Sequence, residues 1–197
     1  MKNLLLYLPK IMVLKKGSVL QEVYQSYVND RGITDVSELA FLCLLKVYPA
    51  LLVTSSDGFV DISEVDTLSS IAADETSIPQ EIFTRELKNL YLNQGHWRHL
   101  FIKAIKELVQ DEQLRMEVLM NMIYAAAAST GSIVKNILLS DYKPRSFSLN
   151  DIETIEQIDP TKQFFSEDEK QKIISISEEL NLLQEESVRN KVYKIFG

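Results

Sequence analysis

Cysteine occurs once, at Cys43, and histidine twice in the 197 residues. A lone thiol excludes a disulfide framework and any multi-thiolate zinc site. Two histidines leave little room for histidine-centred catalysis. Six glycines and five prolines are too few for a linker-rich or disordered chain, and too few for the many tight turns of an all-β sandwich. Basic residues are also short: 21 lysines and arginines against 28 acids give a net charge of −7. That balance argues against a nucleic-acid binder, which carries a basic domain or stripe.

One stretch departs from the acidic average. Before Gly17 the charged residues are Lys2, Lys10, Lys15 and Lys16, flanking the apolar runs Leu4–Leu8 and Ile11–Leu14. Pro9 interrupts the run, the charges after it are basic, and no small-residue cleavage site follows, so a signal peptide is not expected. No other apolar run approaches the roughly 18 residues that a spanning helix needs. Residues 1–16 therefore read as an N-terminal basic and apolar arm, either packed on the core or lying on a membrane surface. A reducing cytoplasm is the expected compartment.

Residues 17–197 read as a single all-helical domain. Leu20, Val23, Tyr24, Tyr27 and Val28 recur at helical spacing. Asp35 with Glu38 three residues on resembles a capping box, and the segment after it is apolar nearly all round through Val53, as a buried central helix would be. Pro49 should kink that helix, because proline lacks the N–H that bonds one turn back. Ile62, Val65, Leu68 and Ile71 are expected to point inward from a further helix. Ser77, Pro79 and Gln80 open another, with Phe83, Leu87 and Leu90 on its stripe. Gly95 marks an interruption before Trp97, Phe101 and Leu108. Asp111 caps a long helix that ends in the Ala125–Ala128 run, where small side chains favour close approach of helix axes. Ser148 with Asp151 opens a helix to Ile158, and Ser166 with Glu169 opens the C-terminal helices within 166–196.

The chain also echoes itself. Residues 61–71, DISEVDTLSSI, match 148–158, SLNDIETIEQI, in cap, acid and apolar register, and Ser56-Asp57-Gly58 has a counterpart in Ser129-Thr130-Gly131. Seven positions separate Asp57 from Glu64, whereas 21 separate Thr130 from Asp151, so the second copy carries a 14-residue insertion. Two copies are too few for a solenoid. The pattern implies a compact multi-helix bundle with a degenerate pseudo-twofold repeat, its halves at about 36–95 and 111–160.

The local motif with chemistry in it is Asp57-Gly58-Phe59-Val60-Asp61-Ile62-Ser63-Glu64. Three carboxylates on a glycine turn and the helix start after it suit a hard cation that takes oxygen ligands, Ca²⁺, Mg²⁺ or Mn²⁺. The spacing equals the second half of an EF-hand loop, but the leading ligand position falls on Val53, which has no side-chain oxygen. The same residues also read as local structure, with Asp61 an N-cap, Glu64 its box partner and Asp57-Gly58 the turn that ends the preceding helix.

Residues 51–64, LLVTSSDGFVDISE, resemble the signature of the tellurite-resistance B (TerB-like) family, in which an apolar helix ends in Asp-Gly-x-Val and a Glu opens the next helix. The match spans about residues 50–72, and the second copy at 119–131 and 148–158 fits that family's internally duplicated helical domain. The resemblance implies a cytoplasmic, non-enzymatic module that holds a protein partner, associated with metal-ion or oxyanion stress responses, in some cases near the membrane. It also implies divalent-cation binding by acids that match Asp57 and Glu64 in the first copy and Asp151 in the second. Thr130-Gly131 in place of a second Asp-Gly leaves one half-site. With Asp61 added from the spacing, the candidate metal residues are Asp57, Asp61, Glu64 and Asp151. A metal-dependent hydrolase using the same carboxylates and a membrane-peripheral adaptor acting through residues 2–16 are the alternatives.

Other residues carry blander expectations. His96 and His99 lie on one helical face but have no neighbouring Cys or Glu to complete a metal set. Trp97, Arg98, Lys103 and Lys106 form either a basic aromatic patch or a solvated face. Cys43, inside an apolar run, is expected to be an inert core thiol.

Overall fold

The computed structural model describes residues 14–55, 58, 60, 62–74, 76–129, 149 and 165–197. Among them the chain forms eight helices: α1 (Val19–Arg31), α2 (Glu38–Thr54), α3 (Ile62–Asp74), α4 (Gln80–Leu92), α5 (Gln94–Leu108), α6 (Glu112–Ser129), α7 (Glu167–Glu179) and α8 (Glu186–Phe196). The described residues contain no strand. The protein is all-α.

The unbroken hydrophobicity of α2 dictates the architecture. Fourteen of its 17 residues are buried, so every side of the helix must find a neighbour. It packs against α3, α4, α5, α6 and α7, most extensively against α6. The alanine run sits on α6, where Ala125, Ala126 and Ala127 are all buried. Around this axis α1 packs on α5, α3 on α4 and α6, and α7 on α8. Pro49 lies inside α2 and is itself buried, yet the helix continues to Thr54.

Helix boundaries follow local chemistry, with some departures from the sequence reading. Ser18 caps α1 by accepting from the Gln21 N–H, and Gly32 ends that helix in the left-handed region at φ 61°. The cap of α2 is Ser37, which accepts from the Ala40 N–H, and not Asp35. Asp35 is spent elsewhere: its two oxygens accept from the Arg85 guanidinium at 2.7 and 2.8 Å. The break between α4 and α5 falls at Asn93, and Gly95 lies within the first turn of α5. Asp111 does cap α6, accepting from the Leu114 N–H at 3.1 Å. Ser166 and Glu169 form the full reciprocal capping box at α7. Ile62, expected to point inward, is 73% exposed. The helix expected at 151–158 lies outside the described residues, and of the second copy of the repeat only the part up to Ser129, in α6, and Leu149 are described.

The arm meets the fold at its last residues. Leu14 is buried, and its N–H donates to the Glu38 carboxylate at 3.1 Å. Residues 1–13 lie outside the described residues.

Aromatic rings fill the space between α1, α2 and α5. Tyr27 meets Trp97 and Phe101 edge-on at 4.9 and 5.3 Å, Phe41 meets Phe101 at 5.6 Å, and Tyr48 meets Phe101 at 4.9 Å. Such pairs contribute about 0.5–1.5 kcal/mol each beyond their area. Trp97 is thereby a core residue and takes no part in a basic aromatic surface patch, one of the two readings of Trp97, Arg98, Lys103 and Lys106.

At the edge of the ring cluster lies a fully buried carboxylate, Glu86. It accepts from the Tyr27 hydroxyl at 2.6 Å, from Arg31 Nε at 3.3 Å and from Arg85 Nε at 2.5 Å. Burial, then the bond to Glu86, raises the Tyr27 pKa, so the phenol stays protonated and donates. Asp35, Arg85, Glu86, Arg31 and Tyr27 thus form one network that fastens α1 and the start of α2 to α4. The sequence gives no local sign of it, because the partners of Glu86 on α1 lie 55 and 59 positions away.

The network and the ring cluster make two predictions. Removing one partner of a buried ion pair strands the other, so Glu86→Gln should lower unfolding stability by about 3 kcal/mol. Asp35→Asn, at an exposed pair, should cost under about 1 kcal/mol in the same urea titration. Burial pushes the Tyr48 phenol from 10.0 up to about 12. A raised phenol pKa stabilises the fold below pH 10 and loses that contribution as pH climbs from 10 towards 12. Tyr48→Phe, which removes a buried hydroxyl with no partner among the described residues, should therefore raise stability at pH 7 by about 1 kcal/mol and flatten its decline over that alkaline window.

Candidate functional site

The acidic motif lies in the connection from α2 to α3. At its start Ser55 ends α2, with its hydroxyl donating to the Leu52 carbonyl at 3.3 Å and accepting from Gln94 Nε2 at 3.3 Å. The Gly58 N–H then donates to the Ser55 carbonyl at 3.1 Å, closing a turn. Gly58 has φ 87°, in the region that L side chains avoid, which is why glycine stands there. The Tyr91 hydroxyl, one residue before the end of α4, donates to the Gly58 carbonyl at 2.9 Å. The turn is thus tied to both α4 and α5.

Beyond it, Val60 is half-buried and packs on the core, and Val65 and Leu68 point inward from α3. Glu64 sits in the first turn of α3, half-buried, where a carboxylate favours the helix N-terminus. Of the four sequence-predicted site residues, Glu64 alone is described. Asp57, Asp61 and Asp151 lie outside the described residues. Among the described residues, no group of three or more His, Cys, Asp or Glu is arranged to hold a metal ion. The hairpin of α3 and α4 leaves two apolar side chains exposed near this turn: Ile62 at 73% and Leu92 at 77%.

The lesser candidates resolve more fully. His96 is exposed and lies 3.9 Å from Asp30, with its ring edge-on to Trp97 at 4.4 Å. Both contacts are local surface and packing interactions. Cys43 is buried and reduced. Arg98, two residues after His96, pairs bidentately with Glu179 at 3.1 and 2.5 Å and so links α5 to α7. Among the described residues, no helix is long and apolar enough to cross a membrane.

A second concave feature lies beside the turn. Leu52 and Ser55 of α2, Gln94 and Arg98 of α5, and Lys172, Ser175 and Ile176 of α7 line a cleft of about 140 Å³. Sequence reading did not find it, because three helices far apart in the chain supply its walls. The only sequence signal is the recurrence of polar residues at three- and four-residue intervals on α7.

No family model matches the chain, and neither a curated protein nor a solved structure matches it.

The turn offers a direct check. A side chain at Gly58 would meet nothing within 4 Å, so the cost of one is conformational and not steric. Gly58→Ala should destabilise the protein by about 1–2 kcal/mol, measured by chemical denaturation, through the left-handed backbone alone.

Proposed function

We propose that the chain is a non-enzymatic helical binding module of the TerB-like kind, working in the cytoplasm. In this reading the α2–α3 connection holds a divalent cation, and the adjoining end of the α3–α4 hairpin receives a protein partner. The observation that carries it is the tethered turn at Gly58. A left-handed glycine is bonded back to Ser55 and anchored by Tyr91, within the motif that carries the acids. A fixed turn lowers the ordering cost of gathering several carboxylates around one ion. Glu64 at the start of α3, with Asp57 and Asp61 on the connection, supplies the hard oxygen donors that Ca²⁺, Mg²⁺ or Mn²⁺ takes, and Asp151 is the second copy's contribution. The exposed Ile62 and Leu92 support the docking part, since large apolar side chains left in water beside a fixed turn are natural anchors for a partner. A role in metal-ion or oxyanion stress follows from the same resemblance.

Titration calorimetry with Ca²⁺, Mg²⁺ and Mn²⁺ separately tests the cation part. The expected result is saturable binding of at least one ion with a dissociation constant below about 1 mM, roughly −4 kcal/mol. Glu64→Gln and Asp57→Asn should each weaken it about tenfold, the loss of one charged ligand. Absence of saturable heat for all three ions would remove the cation from the reading.

A further inference from the structure

The cleft between α2, α5 and α7 is built from three helical stripes. At the end of α2, Leu52 and Ser55 lie three residues apart. On α5, Gln94 and Arg98 lie one turn apart. On α7, Lys172, Ser175 and Ile176 follow at three- and four-residue steps, so each helix turns one face to the same space. Leu52 and Ile176, 7% and 3% exposed, form an apolar base.

The groups around that base are mostly hydrogen-bond donors. Arg98 gives two of its five N–H groups to Glu179 and keeps three. Lys172 makes no hydrogen bond or ion pair among the described residues. Gln94 holds Ser55 in place through its amide, and Ser175 adds an exposed hydroxyl. Among the described residues, Glu179 is the acid that pairs with Arg98.

Beneath Leu52, one turn back on α2, the buried Tyr48 hydroxyl has no hydrogen-bond partner. The charges of Arg98 and Glu179 both act on it. An unsatisfied buried hydroxyl costs free energy.

We propose that this cleft is a subsite for a small oxyanion, the phosphate or carboxylate group of a ligand, received by Lys172 and Arg98 with Gln94 and Ser175 at its sides. Among the described residues that line it, the cleft carries two cations and no acid, in a chain of net charge −7 whose acidic surface repels anions that are not held by specific donors. The subsite shares Ser55 and Gln94 with the anchoring of the acidic turn, but its charged groups are cations where those of the turn are acids.

The test is a titration of the full-length ¹⁵N-labelled protein with inorganic phosphate, with acetate and with chloride at matched ionic strength. The readouts are the Gln94 side-chain amide and the Arg98 Nε–H signals. Saturable shifts with phosphate, acetate or both, absent with chloride, are expected, and which of the two saturates identifies the source of the oxyanion. Lys172→Ala should weaken the binding about tenfold, while Lys88→Ala, on the exposed face of α4, leaves it unchanged. Lys172 is exposed, so its removal does not endanger the fold. Shifts that equal those of chloride, that never saturate, or that survive intact in Lys172→Ala overturn the proposal.

Discussion

A helix with no solvent face cannot be stable alone, and α2 is such a helix. From Ala40 to Thr54 only Lys46 escapes burial, and its ammonium lies 3.2 Å from Glu117 on α6. The other elements are arranged to satisfy this demand: α6 along one side, α3 and α4 on another, α5 and α7 on the rest. Close packing around a single apolar rod explains why the molecule tolerates a proline in the middle of its central helix. A kink costs least where neighbours on every side hold the two halves in register.

Hydrophobic enclosure alone does not select one arrangement of the outer helices, since apolar surfaces pack in many registers. The polar links do. Glu86 accepts from α1 and α4 together, Arg98 joins α5 to α7, and the Leu20 N–H of α1 donates to Glu107 of α5 at 3.0 Å. Each demands a defined geometry, because a buried or half-buried charge out of place is costly. The same logic extends to the α2–α3 connection, whose backbone is specified by Gly58 and by one phenol on α4.

How much of this was legible in the sequence depends on the range of the interaction. The fold class, the buried central helix, the caps at Asp111 and Ser166 and the long alanine-bearing helix were all readable, because periodicity and capping act within one or two turns. Ile62 was misjudged for a physical reason. It stands in the first turn of α3, where the helix overhangs the core, and periodicity cannot tell an overhanging position from a packed one. Asp35 looked like a cap by spacing, but a bidentate arginine from 50 positions away offers its carboxylate more than a backbone N–H does. Of the candidate site, the turn itself and the place of Glu64 are on view. The cleft lined by Arg98 and Lys172 could not be read at all, since nothing local announces that α5 and α7 are neighbours.

Those long-range polar links have a kinetic side. Helical proteins fold quickly when their contacts are local, yet here the bonds from Lys46 to Glu117, Arg98 to Glu179 and Leu20 to Glu107 close loops of 71, 81 and 87 residues. Individual helices form in about a microsecond or less, far sooner than such loops find their partners in the right order. The slow event expected in assembling this molecule is therefore the meeting of helices distant in sequence around α2, so that an all-helical protein inherits the folding tempo of a more interwoven topology.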